Sequence, residues 1–163
     1  FVESHLLSYY NQVNKIGTMV VMKLENQTRR TIKEVFDIFA PIDEGFIKTV
    51  EVFSKFVDDF ANKIPLGLFY RNNLDVLGNR EKLKLFLTLL EGFIRDVYEY
   101  QTLKQVLVFT SLEKEIEMIA TNVSKDDILK YLFQVLELIK KIGYNVNMSL
   151  LLNQLLIEMN GGI

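Results

Sequence analysis

The sequence of 163 residues has no cysteine, no tryptophan, two prolines and a single histidine. Without cysteine there is no disulfide, no thiolate metal site and no cysteine nucleophile, and the absence fits a reducing, cytoplasmic compartment. The one histidine, His5, stands near the start of the chain and reads as a solvated residue, so a histidine-based triad is excluded. No Glu-x-x-His pattern occurs, which leaves a di-iron bundle site unsupported. The eight glycines never take the spacing that cradles a phosphate, and no Gly-Lys-Ser/Thr occurs, so nucleotide hydrolysis is not expected of this chain. No apolar run approaches the ~20 residues that span a bilayer. The richest, Met148 to Ile157, is broken by Ser149, Asn153 and Gln154, and no signal peptide is visible. The chain opens at Phe1 and not at Met, which points to a piece of something longer.

What is present is apolar: 49% of residues are hydrophobic, 12% aromatic and 25% charged. A chain of this size buries roughly 70% of the surface it exposes when unfolded, so it sustains a core and is not a disordered segment. The net charge of −2 supplies no basic excess for a phosphate backbone. The tight basic pairs, Arg29–Arg30 and Lys140–Lys141, are too few for direct nucleic-acid binding by this domain. No membrane contact and no cofactor is implied.

The dominant apolar spacing is helical. Residues Phe1 to Glu25 read as one or two helices, with Leu6, Leu7, Tyr10 and Val13 on one face and Gly17 as a break. A helix over Thr28 to Ala40 is stopped by Pro41. The next, Asp43 to Lys63, carries Phe46, Val50, Phe53, Val57 and Phe60, with Asp43 and Glu44 at the positive end of its dipole. Ile64 to Gly78 is rich in turn formers and reads as a loop with one short helix. Asn79 to Gln101 is the strongest helix, and Leu85 and Leu89 widen its apolar stripe, so it is central in a bundle or meets a partner. Leu103 to Phe109 reads as an extended linker. Thr110 with Glu113 gives a capping-box spacing for a helix ending at Asn122, and Ser124 with Asp127 gives a second for a helix reaching Ile142. Ile128, Leu132, Val135, Leu136 and Ile139 form the apolar positions of that second helix, and Lys140, Lys141 and Gly143 mark its end. A last helix runs from Asn147, its N-cap, to Met159. The expected fold is all-α, a bundle of about six or seven helices of ~10–22 residues.

Chemistry has few candidates. Glu113, Glu115 and Glu117, and the pairs Asp58–Asp59 and Asp126–Asp127, read as solvated faces and helix starts. No metal site is proposed. The phenylalanines recur at helical spacing and read as core, with any remainder available to a partner.

Three stretches of the second half carry a family resemblance. The first is Leu89-Leu90-Glu91-Gly92-Phe93-Ile94-Arg95-Asp96-Val97-Tyr98. The second is Phe109-Thr110-Ser111, a short helix, then Ala120-Thr121-Asn122-Val123-Ser124. The third is Ile142-Gly143-Tyr144-Asn145-Val146-Asn147-Met148 and the leucines that follow. In order and spacing they resemble the C-terminal collar domain of the delta-prime subunit of the bacterial DNA polymerase III clamp loader, over about Arg80 to Gly161. The family's final helix carries a glutamate where this sequence has Asn153.

The resemblance implies a clamp-loader collar, a non-catalytic oligomerisation scaffold that joins other subunits in a ring and contacts gamma/tau and delta. It also implies that residues 1–26 are a helical extension or the end of a preceding lid domain, and that 27–163 form the collar. ATP, DNA and the sliding clamp would be handled elsewhere in the assembly. Arg95 and Asp96 interrupt an apolar helix, so they hydrogen-bond across helices or across a subunit boundary, unless they are an exposed pair without a role. Asn145 and Asn147 shape the last turn and cap the last helix. The collar of delta or of gamma/tau remains open, as do an unrelated helical module with an apolar groove for peptide or lipid and an enzyme working through carboxylates.

Overall fold

A computed structural model describes residues 44–144 and 146–161. The helices expected over residues 1–25 and 28–40, the stop at Pro41, Asp43 and Asn145 lie outside them. Among the described residues there are seven α-helices, one 3₁₀ turn and no strand. They are α1 (Glu44–Ala61), α2 (Phe69–Asn72), α3 (Leu74–Leu77), α4 (Arg80–Leu103), the 3₁₀ turn Thr110–Leu112, α5 (Glu113–Asn122), α6 (Lys125–Lys141) and α7 (Met148–Gly161). The all-α bundle expected from the periodicity is the fold observed.

Helix α1 buries Val50, Phe53, Val57 and Phe60, the stripe its spacing predicts, together with Val52 and Phe56. It ends where Lys63 takes the left-handed conformation, with φ of 60°. The Ile64 amide then donates to the Asp59 carbonyl at 2.8 Å and the Lys63 amide to Phe60 at 3.3 Å, so the last carbonyls of the helix are satisfied.

The stretch read as a loop with one short helix instead holds two one-turn helices, α2 and α3, which bury Phe69, Val76 and Leu77 beside Leu66. Turn-forming residues punctuate it so densely that a 3.6-residue period cannot develop, yet each single turn still contributes an apolar anchor.

Helix α4 is the axis of the bundle, 24 residues long. It packs against α1, α5 and α6, while α7 lies on α6 and reaches α2. Its cap is Asn79, whose side-chain oxygen accepts from the Lys82 amide at 3.0 Å. Helices α4 and α6 run antiparallel. Lys125 at the start of α6 sits 4.9 Å over the ring of Tyr98 near the end of α4, whereas Arg80 and Ile142 line one hollow at the other end.

Rings fill the core. Phe53 and Phe56 of α1 meet Phe86 of α4, Phe53 also meets Phe93 and Phe109, and Phe56 also meets Phe60 and Phe69, all with centroids 5.7 to 6.2 Å apart. Four of these six pairs are edge-to-face, Phe56–Phe60 is stacked and Phe53–Phe109 tilted, and aromatic pairs add ~0.5–1.5 kcal/mol each beyond their burial. Phe133 departs from the expectation that the phenylalanines are core: it is 58% exposed.

The two capping-box readings part company. Ser124 does cap α6, accepting from the Asp127 amide at 3.1 Å. Thr110 does not cap α5; it lies inside the 3₁₀ turn, and α5 starts after Leu112 with no side-chain cap. The reason is tertiary and lies in the linker described next.

Candidate interaction surface

Arg95 and Asp96 are neighbours in sequence but about 100° apart around the helix axis. Asp96 shares the face of Phe93 and Val97 and is 2% exposed. Its Oδ2 accepts from the Val108 amide at 3.0 Å and from the Phe109 amide at 2.6 Å. The linker leaves α4 through Lys104, in the left-handed conformation with φ of 57°, and is held by Asp96. Val106 and Phe109 therefore point inward and Leu107 outward. Gly92 lies beneath this approach, where a Cβ would stand 3.4 Å from the Phe109 ring, an ordinary van der Waals contact. Phe109 is pinned by both its amide and its ring, and that pulls Thr110 into the 3₁₀ turn. Arg95 faces outward and pairs with Glu91 one turn earlier. The structure thus divides the pair into an internal clamp and a surface charge.

Asn147 lies far from both, beside Arg80 at the opposite end of α4. Its Oδ1 accepts from the Leu150 amide at 3.1 Å and from the Ser149 hydroxyl at 2.9 Å. Replacing Asn147 by Ala removes this N-cap, and thermal unfolding is expected to show a loss of about 1 kcal/mol. An unchanged melting curve would refute the assignment.

Helix α7 is apolar on more than one side. Leu152, Leu155, Leu156 and Met159 are buried, while Leu150 and Ile157 are exposed and Asn153 is half-buried. A helix apolar all round is ordinarily covered. Beside it an open groove of about 540 Å³ runs between α6 and α7, with Leu138 and Leu155 as its buried floor, Leu129 and Leu151 half-buried on its sides, and Phe133 rising from it. A hollow of about 360 Å³ between α4, the linker and α6 is lined by Arg95, Leu107 and Leu129. Leu129 belongs to both, so one surface continues from the linker to α7. Periodicity did not reveal this surface. It placed the apolar side of α6 at Ile128, Leu132, Val135, Leu136 and Ile139; Ile128 and Val135 are buried, Leu132, Leu136 and Ile139 are half-buried, and the buried Tyr131 and Leu138 were missed.

Polar groups bridge the groove. Glu158 of α7 pairs with Lys130 of α6 at 3.3 Å and accepts from the Gln134 amide at 2.8 Å. The Gln134 bond, and after it Lys130, holds the Glu158 carboxyl below its ordinary range against a smaller opposing effect of burial. Tyr131 passes beneath, its hydroxyl donating to the Glu158 carbonyl at 3.1 Å. Burial, followed by the nearby Asp127 and Glu158 charges, pushes its hydroxyl up to about 12. A raised phenol favours the folded state below the ordinary value of 10.0, and that contribution disappears as pH rises from there toward about 12. Phenolate absorbance compared with a Tyr131→Phe variant is expected to show Tyr131 ionising late, in step with loss of helical circular dichroism. A full titration completed before any helix is lost would contradict this.

No group of three or more His, Cys, Asp or Glu residues able to hold a metal occurs among the described residues, and no helix there is long and apolar enough to cross a membrane. The family described as DNA polymerase III, delta subunit, C terminal matches residues 65–161, more than half of the chain. No curated protein and no solved structure matches it.

Proposed function

We infer that this chain, which belongs to the family of C-terminal domains of the DNA polymerase III delta subunit, is a non-catalytic scaffold that holds the subunits of a clamp loader together. The observation that carries the reading is the family match over residues 65–161. The surface from Leu107 across Leu129 to Phe133 and Leu151 supports it, because contiguous apolar surface of this kind marks an interaction site. The partners are the other clamp-loader subunits, and the place of action is the cytoplasm. Arg95, paired with Glu91, stands at the edge of this surface. In this reading residues 27–163 are the collar, and 1–26 are a helical extension or the end of a preceding lid domain.

The description of the matched family favours the delta subunit. Delta-prime is the second reading, favoured by the order and spacing of the stretches around Arg95–Asp96, Ser124 and Asn147. Assembly in competition tests both. The chain is added in excess while gamma/tau, delta and delta-prime assemble, and native mass spectrometry reads which subunit is left out. Exclusion of delta supports the first reading and exclusion of delta-prime the second. Incorporation of both subunits with none of the added chain would refute the scaffold.

A further inference from the structure

The groove face of α6 has a charge order that is its own complement. Eight of its residues line the groove: Asp126, Leu129, Lys130, Phe133, Gln134, Glu137, Leu138 and Lys141. From the start of the helix they run acidic, leucine, basic, then Phe133 and Gln134, then acidic, leucine, basic. Turned end over end about the point between Phe133 and Gln134, the row places Asp126 against Lys141 and Lys130 against Glu137. The same operation places Leu129 against Leu138, and Phe133 against Gln134. A parallel copy would set like charges against each other at all four charged positions, which is unfavourable.

We propose that this face pairs with a second copy of the chain, the two α6 helices antiparallel across a twofold axis at Phe133–Gln134. An isologous contact makes every such pair twice, so the four charged residues give four opposite-charge contacts around a central apolar patch. The ion pairs that these residues make within one molecule do not oppose the exchange. Lys130–Glu158 at 3.3 Å and Glu137–Lys141 at 3.9 Å are exposed, and exposed pairs are weak. Phe133, 58% exposed in one copy, is covered in the pair. The charges set the register and Phe133 supplies most of the affinity, as buried aromatic anchors do. This inference does not rest on the scaffold reading. A chain with the scaffold role can self-pair when no other subunit is present.

Sedimentation velocity of the 163-residue chain from about 1 µM to about 1 mM tests it. A reversible dimer is expected. Lys130→Glu or Glu137→Lys alone sets like charges together at two places, so the dimer is expected to weaken about tenfold. The double variant Lys130→Glu with Glu137→Lys restores opposite charges and returns to within about twofold of the starting affinity. Phe133→Ala weakens the dimer about a hundredfold. All these substitutions leave the core intact, and circular dichroism confirms that each variant is folded. A monomer across the whole range overturns the proposal. So does a dimer indifferent to the single charge changes, or a double variant no better than either single one.

Discussion

Asp96→Ala is expected to destabilise the domain by about 3–5 kcal/mol, the largest effect of any polar substitution among the described residues. The carboxylate is 2% exposed and accepts two linker amides, at 3.0 and 2.6 Å. Removing it strands the buried Phe109 amide and the half-buried Val108 amide, and a buried donor left without a partner costs about 1–3 kcal/mol. It also frees residues 104–109 from the path that turns Phe109 inward. Asp96→Asn keeps the shape and one acceptor but loses the charge assistance, and about half of the loss is expected. Urea unfolding of the three proteins checks the order. If Asp96→Ala unfolds at the same midpoint as the parent, the clamp has no energetic role. Arg95→Ala on the same helix is the control: its side chain is 56% exposed and its removal should change stability by less than about 0.5 kcal/mol.

Phe53→Ala should remove about 3–5 kcal/mol, toward the upper end of that range. Phe53 has no exposed surface and meets Phe86, Phe93 and Phe109 at 6.2, 5.9 and 5.8 Å between ring centroids. Truncation leaves a cavity at the point where α1, α4 and the linker converge, and the helix backbones on either side prevent collapse. Phe53→Leu keeps most of the volume and should lose less than about 1.5 kcal/mol. Thermal unfolding separates the two variants. Equal melting points for Ala and Leu would show that the site collapses, against the packing described. Phe53 and Asp96 also share Phe109, so the double variant Phe53→Ala with Asp96→Ala should lose less than the sum of the single losses.

The sequence makes α1, α4 and α6 legible because each is long enough for its apolar residues to repeat over several turns. Asn79 and Ser124 place two helix starts for the same local reason, a short polar side chain three residues before a free amide. Where the reading fails, the deciding contact is distant in sequence. Thr110–Glu113 has the same local signal as Ser124–Asp127, but the Asp96 carboxylate, 13 residues before Phe109, fixes the chain just ahead of it. The role of Asp96 itself was within reach. A carboxylate in register with Phe93 and Val97 on an apolar stripe requires donors, and treating Arg95–Asp96 as one unit concealed that. The groove could not be foreseen because Phe133 obeys helical spacing as well as any core residue. Only the crossing of α6 with α7 decides which face of α6 stays open.

The scaffold account is tested most directly by light scattering on a sizing column, with the chain alone and then mixed with gamma/tau, delta and delta-prime. The account predicts that the chain leaves its own peak and co-elutes with the other clamp-loader subunits at a defined stoichiometry. Separate, unshifted peaks at concentrations far above a micromolar dissociation constant would contradict it.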